Sequence, residues 1–287
     1  MSGRFKKIAL AIGFSPTSRA LLKEASRLAY LFRAQLILVH VGTHGSEEES
    51  KMSELIQSVD AGDLKPIVLW KEGDPVKEIL KVCSTENIDL LVAGALKKEN
   101  LLQNYIGTVA RKIMRKANCS ILMIQNPNEQ TRSVNNVVVN AEDSPYIEDA
   151  IRAGCYLGKM ENAQWVHIVR ELKLLGLALS ANEQCTEDEY HESMQAMVRE
   201  ERGEVEKILA RIPHENLKVN IKMLSGKSGY ELARFAERKK AELLIVGAPA
   251  RRFSLFDRVF PHDLEYIFAN LPCNLLIINP KTQTNHG

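Results

Sequence analysis

The sequence predicts an α/β fold of two tandem, doubly wound domains, each with a five-stranded parallel sheet. Three observations carry that prediction. Apolar runs of about four to eight residues alternate with longer segments of helical period, the lengths of buried strands and amphipathic helices. Within those runs the apolar residues are continuous rather than alternating, so both sheet faces are covered and the strands are parallel. The whole series then occurs a second time along the 287 residues.

The repeat is read from ordered matches. Leu90-Leu91-Val92-Ala93-Gly94 returns 153 residues later as Leu243-Leu244-Ile245-Val246-Gly247. Gly73 with Glu78-Ile79 returns at the same offset as Gly226 with Glu231-Leu232. Cys119-Ser120-Ile121-Leu122 becomes Cys273-Asn274-Leu275-Leu276, while early in each half Ser15-Pro16 matches Ser144-Pro145 and His40-Val41 matches His167-Ile168. The offset grows between the second and third apolar runs, which places an insertion near 171–205 of the second copy. The expected domains are 1–130 and 131–287, joined around Asn126–Ser133, a stretch rich in Asn, Pro and Gln.

Taken in order, Lys7–Ile12 reads as a buried strand and Ser18–Phe32 as a helix, with Leu21, Leu22, Ala25, Leu28 and Ala29 on one face. Strand Gln35–Val41 and a short polar helix, Glu47–Val59, follow. Strand Pro66–Trp70, helix Pro75–Ser84 and strand Leu90–Ala93 come next, and helix Thr108–Lys116 leads into the closing strand Ser120–Ile124. The second half repeats the plan with strands near 136–140, 164–169, 217–224, 242–246 and 275–279. In the insertion, Leu172, Leu174, Leu175, Leu177 and Leu179 crowd around Gly176 before an acidic stretch, Cys185–Glu192. They are expected to form a lid on a long helix near His191–Arg211; the alternative is that they line an apolar pocket or a partner surface.

Composition excludes several classes. Lys+Arg of 38 against Asp+Glu of 36 gives a net charge of +2, too balanced for a nucleic-acid binder that relies on counterion release. No apolar run reaches the roughly 20 residues of a membrane span. The N-terminal residues lead straight into the first strand without a small-residue cleavage site, so a cytoplasmic protein is expected. Five scattered cysteines form no C-x-x-C pair, so neither a metal site nor a disulfide framework is indicated.

A ligand in such a fold sits beyond the carboxyl ends of the strands, where strand order reverses. In the first half those loops begin at Gly13, Val41 and Gly94. The third is the informative one. Gly94 leaves the strand, Lys97 and Lys98 follow, and Gly107-Thr108 opens a helix whose next residue is Val109. Free amides and the positive dipole end of a helix start hold anions, and a threonine hydroxyl adds a donor. A helix cap and a solvated loop tip are the plainer reading of the same residues.

These residues resemble the universal stress protein family, and the likeness covers nearly the whole chain as a tandem member. It is carried by the strand ending near Ser15, by His40-Val41, by the Gly73–Ile79 helix start, by Asp89–Gly94 and by Cys119 with the closing strand. The resemblance implies a Rossmann-like, adenine nucleotide alpha hydrolase-like fold and a nucleotide motif G-x-x-G, nine residues, then G-S/T. Here Gly94, Gly107 and Thr108 match, Lys97 replaces the second glycine, and Gly13 stands where ATP-binding members carry an acidic residue at the end of the first strand. The implied site is therefore Gly13, Ser15, Val41, Gly94, Lys97, Lys98, Gly107, Thr108 and Val109. It would hold ATP or AMP in the first domain only, with Mg accompanying ATP. The second copy keeps Gly247 but has Ala250 and Pro261-His262 at the later positions, although Glu142 stands at the acidic one. The resemblance further implies pairing through the fifth strands, an internal pseudo-dimer, with a homodimer left open.

Other candidates read as structure. Gly226-Lys227-Ser228 imitates the end of a phosphate loop but lacks the leading glycine and reads as a cap. His40 and His167 read as packed residues. Arg111-Lys112 and Arg115-Lys116 read as a solvated basic face. No catalytic residue is assigned; any ATPase activity would be slow. The function expected is a stress-response module that binds an adenine nucleotide; the alternative is a nucleotide-independent scaffold or a binder of small apolar ligands.

Overall fold

Continuous apolar runs become the inner strands of one ten-stranded sheet. The computed structural model describes residues 5–59, 64–97, 104–130, 133–172, 186–248 and 262–279. The first half supplies β1 (Lys7–Ala11), α1 (Ser18–Phe32), β2 (Gln35–Val41), α2 (Ser46–Gln57), β3 (Ile67–Lys71), α3 (Pro75–Thr85) and β4 (Leu90–Gly94). A hairpin of two-residue strands, β5 (Leu96–Lys97) and β6 (Asn104–Tyr105), then precedes α4 (Thr108–Lys116) and β7 (Ser120–Ile124). The second half supplies β8 (Asn136–Asn140), α5 (Ile147–Met160), β9 (Trp165–Glu171), α6 (Glu187–Leu209), β10 (Val219–Leu224), α7 (Tyr230–Arg238), β11 (Leu243–Gly247), α8 (His262–Ala269) and β12 (Asn274–Ile278).

The strand order is β10-β9-β8-β11-β12-β7-β4-β1-β2-β3. Within each half every neighbouring pair of this sheet is parallel, and the order reverses between β1 and β4, as in doubly wound folds. The two fifth strands meet antiparallel at the centre, with Leu276 opposite Leu122. The pairing expected of the fifth strands is therefore internal to the chain. It covers both edges that would otherwise lie open.

The junction carries a two-fold duplicated clasp. Gln125 donates its backbone N–H to Asn274 Oδ1 at 2.8 Å and its Nε2 to the carbonyl of Leu271 at 2.7 Å. On the other side Asn279 donates its N–H to Ser120 Oγ at 3.1 Å and its Nδ2 to the carbonyl of Ala117 at 3.1 Å. The same logic links α1 to α5. Arg27 is held by Glu161, and Phe32 stacks on Tyr156 at 6.0 Å. At the offset that equates Ile12 with Ala141, Arg27 corresponds to Tyr156 and Phe32 to Glu161. The ion pair and the ring stack are thus the two mates of one isologous contact.

Strand register corrects one match between the halves. Lys7 faces Gln35 and Asn136 faces Trp165, so Gln35 corresponds to Trp165 and His40 to Arg170, not to His167. His40 Nδ1 donates to the carbonyl of Ile12 at 3.1 Å, and Arg170 Nη1 donates to the carbonyl of Ala141 at 3.1 Å. The apolar runs on either side are alike enough that a slip of three residues leaves the pattern intact; only pairing fixes the frame. His167 is packed as expected: its ring lies parallel to Trp165, Asn220 donates to its Nδ1, and burial followed by the charge of Lys239 lowers its pKa.

In the insertion, α6 begins with a capping box between Thr186 and Glu189. Leu172 is buried, while Leu174, Leu175, Leu177 and Leu179 lie outside the described residues. Helix α5 crosses the sheet closely enough that a Cβ on Gly154 would stand 2.3 Å from Val139 Cγ2. Gly154→Val is expected to destabilise the chain by about 1–3 kcal/mol through overpacking, read from urea unfolding midpoints. An unchanged midpoint would show that α5 can lift from the sheet at no cost.

Candidate functional site

The reversal of strand order leaves a crevice where β1 and β4 end, and α4 starts across it. Its N-cap is Gly107, whose backbone is extended, and no side chain caps the helix. The first turn holds no acidic residue. Among the described residues nothing accepts from the amides of Thr108 or Val109, the usual orphan donors of a helix start. These donors open on a cavity of about 350 Å³ lined by Ala11, Ile79, Leu91, Ala93, Gly94, Leu96, Gly107, Thr108, Val109, Ala110, Ile113, Ile121 and Met123. Among the described residues Thr108 is the one polar side chain in that lining. Leu96 and Val109 form an exposed apolar rim.

Of the residues expected in the site, Gly94, Gly107, Thr108 and Val109 come together around this cavity. Gly13, Ser15 and Val41 are absent from its lining. Ser15 is tied into the start of α1, where its N–H donates to Ser18 Oγ at 2.8 Å and Ser18 Oγ donates to the carbonyl of Gly13. Val41 is engaged in the ladder opposite Lys71. The backbone of Lys97 lies in the hairpin, and Lys98 lies outside the described residues. Gly94 has a packing reason as well: a Cβ there would stand 3.0 Å from Leu21 Cδ1 of α1. A Cβ on Gly107 would stand 2.6 Å from Leu96 Cδ1, so Leu96 rests directly on the turn.

Comparison with known proteins agrees with this frame. Residues 4–125 match the model of the universal stress protein family. The universal stress protein MJ0577 of Methanocaldococcus jannaschii is 24% identical over 161 residues, covering 45% of this chain and 99% of that one. A universal stress protein from Archaeoglobus fulgidus shares the fold over both halves, with a TM-score of 0.67, 15% identity, and 97% of this chain and 99% of that one covered. Residues 4–125 are thus similar to the universal stress protein family, and both halves share the fold of its solved members. A universal stress protein from Pseudomonas aeruginosa superposes with a TM-score of 0.65 at 15% identity, over 96% of this chain and 94% of that one. These likenesses, at such identities, establish architecture.

The second half differs at the ends of its first two strands and at the entrance of α7, the counterpart of α3. Asn140 stands where Ala11 stands in the first half, and its buried Oδ1 has no hydrogen-bond partner. Glu171 replaces Val41, and its carboxylate accepts from Gly229 N–H, Leu232 N–H and Ser228 Oγ–H. Gly226-Lys227-Ser228 is therefore a helix entrance already filled by a protein carboxylate, as the cap reading expects. Gly247 lies against Tyr146, while Ala250 and Pro261 lie outside the described residues, and nothing is described of the side chains of His262 and Asp263.

The solvated basic face of α4 holds for Lys112, Arg115 and Lys116, which are exposed, and is corrected at Arg111. Arg111 pairs with Glu265 of α8, donates its Nε to the carbonyl of Ile106 at 2.9 Å, and lies over the ring of Phe268; Arg115 reaches Glu265 at 3.5 Å. Fifth-strand pairing brings α8 beside α4, which no local pattern in the sequence reveals. Ile106, one residue before the Gly107 turn, also donates its N–H to the carbonyl of Phe268 at 2.9 Å. The second half thus holds the loop of the first half's site in place.

Sequence reasoning also passed over Phe14. Its ring is 41% exposed and rests 4.7 Å from the ring of His40, which in turn meets Trp70 edge-on. Among the described residues no group of three His, Cys, Asp or Glu is placed to hold a metal ion, and no helix is long and apolar enough to cross a membrane. Cys83, Cys119, Cys155 and Cys273 are free and buried. A hydrogen bond with Cys83 and burial push the Cys119 thiol up, and burial pushes Cys155 up to about 11, which leaves these thiols inert.

Proposed function

We propose that the chain is a regulatory or protective stress-response module that binds an adenine nucleotide, ATP or AMP, in its first half. The observation that carries this reading is the start of α4, where orphan amides and the Thr108 hydroxyl open on a surface crevice and the first helical turn holds no acid. Phosphate oxygens suit those donors, and the helix dipole favours their charge. The sugar and base would lie toward the loops after β1 and β2. Gly13 leaves open space there, and the neighbouring Phe14 ring offers a face for stacking. Mg would arrive with ATP, held by the phosphates rather than by a protein cage. The second copy has Pro261-His262 where the first has Gly107-Thr108, and proline has no N–H to offer a phosphate, so one nucleotide per chain is the expected stoichiometry.

Calorimetric titration of the full chain with ATP and with AMP tests the proposal. One site of micromolar to submillimolar affinity, weakened by added salt, is the expected result. An absence of heat at millimolar nucleotide would end it and favour the scaffold alternative.

A further inference from the structure

We propose that the cavity beneath the start of α4 takes the chain of a single-chain anionic amphiphile, its head on the amides of Thr108 and Val109. The proposal shares the helix start with the nucleotide reading but does not depend on its outcome. Its basis is the lining. Among the described residues the floor and walls are Ala11, Ile79, Leu91, Ile113, Ile121 and Met123, and the one polar side chain, Thr108, sits on the helix that opens over them. A nucleobase lowered into that space would set its ring nitrogens and exocyclic amine against apolar walls, where unpaired polar groups cost free energy. A hydrocarbon chain has no such groups. Engineered apolar cavities of about 150 Å³ stay dry and bind benzene. The roughly 350 Å³ here is more than twice that volume, room enough for a chain of about ten carbons.

The entrance fits the same ligand. Leu96 and Val109 are about half exposed at the rim, so a chain would cover apolar surface on its way in. The donors at the mouth have no acceptor among the described residues, and the dipole there favours a negative head. In the second half the floor position is different: buried, polar Asn140 replaces Ala11.

Calorimetry on the full chain tests this with hexanoate, octanoate, decanoate, decyl phosphate and decanol. Affinity is expected to rise about fourfold per methylene, the worth of one buried CH₂, and to level near ten carbons. Decanol, which lacks the charge, is expected to bind at least tenfold more weakly than decanoate. Tighter binding of either decanoate or decyl phosphate identifies the head, and both results support the proposal. Ala11→Leu, which fills the floor, is expected to lower decanoate affinity at least tenfold, and Met123→Ala to move the optimum to longer chains. Affinity that is flat across chain length, or undiminished decanoate binding by folded Ala11→Leu protein, overturns it. Binding of ATP without binding of decanoate also overturns it and leaves the nucleotide reading standing. Binding of decanoate without ATP does the reverse.

Discussion

Arg27→Met is expected to lower the unfolding free energy by about 3–5 kcal/mol, the cost of leaving buried charge without its partner. Arg27 donates to both oxygens of Glu24, at 3.1 and 2.8 Å, and to both oxygens of Glu161, at 2.9 and 2.8 Å. The Glu161 side chain is only 4% exposed. Burial works against the guanidinium charge, yet the hydrogen bonds to Glu24 and then Glu161 more than reverse it and raise its pKa. Surface pairs such as Lys51 with Glu47 lack this desolvation and contribute little. The triad also bridges α1 and the end of α5, so its loss loosens one mate of the isologous contact while Phe32 and Tyr156 hold the other. Urea unfolding checks the value. The double replacement Arg27→Met with Glu161→Gln is expected to recover part of the loss, since it removes one of the two stranded carboxylates. A single-variant loss below about 1 kcal/mol would place the triad with ordinary surface pairs.

Much of this architecture was legible because apolar run length and helical period are local properties. Helix Ser18–Phe32, strand Gln35–Val41, helix Thr108–Lys116 and strand Ser120–Ile124 have the bounds read from sequence. Glycines and capping residues punctuate these elements, and the repeat confirms each assignment from the other copy. What depended on pairing was harder to see. The equivalence of His40 with Arg170 needs strand register, because a short apolar run slides without changing its pattern. The partner of Arg111 needs the fifth-strand junction, since Glu265 lies 154 residues away in sequence. The hairpin of Leu96–Lys97 with Asn104–Tyr105 has too few residues to carry periodicity.

The candidate site divides along the same line. Gly94, Gly107 and Thr108 were found by spacing, since a helix start after a strand has a recognisable glycine and hydroxyl. The chemistry of the space they enclose was not. Ile79, Ile113 and Met123 read only as core residues until three elements converge and leave a gap between them. That Gly13 and Ser15 serve the entrance of α1 was equally hidden, because the Ser18 hydroxyl that binds both sits inside what reads as the helix itself.

Thr108→Pro should separate the helix from its donors and lower nucleotide affinity about a hundredfold. Thr108 is the first residue of α4, a position where proline is favoured because its missing N–H has no intrahelical partner. Gly107, at φ −71° and ψ 169°, already has the extended backbone required before proline. The helix is therefore expected to persist, with an unchanged circular dichroism spectrum. What disappears is one amide donor and one hydroxyl donor. Two hydrogen bonds to a charged phosphate, at about 1.5 kcal/mol each, amount to about 3 kcal/mol, close to a factor of one hundred in Kd. Thr108→Ser keeps both donors and should bind as the parent does, while Thr108→Ala loses only the hydroxyl and should weaken binding about tenfold. This graded series is what a phosphate seated on the start of α4 demands. If the proline variant binds ATP with parental affinity while its helix is intact, the phosphate lies elsewhere and the amides of α4 are free for another anion.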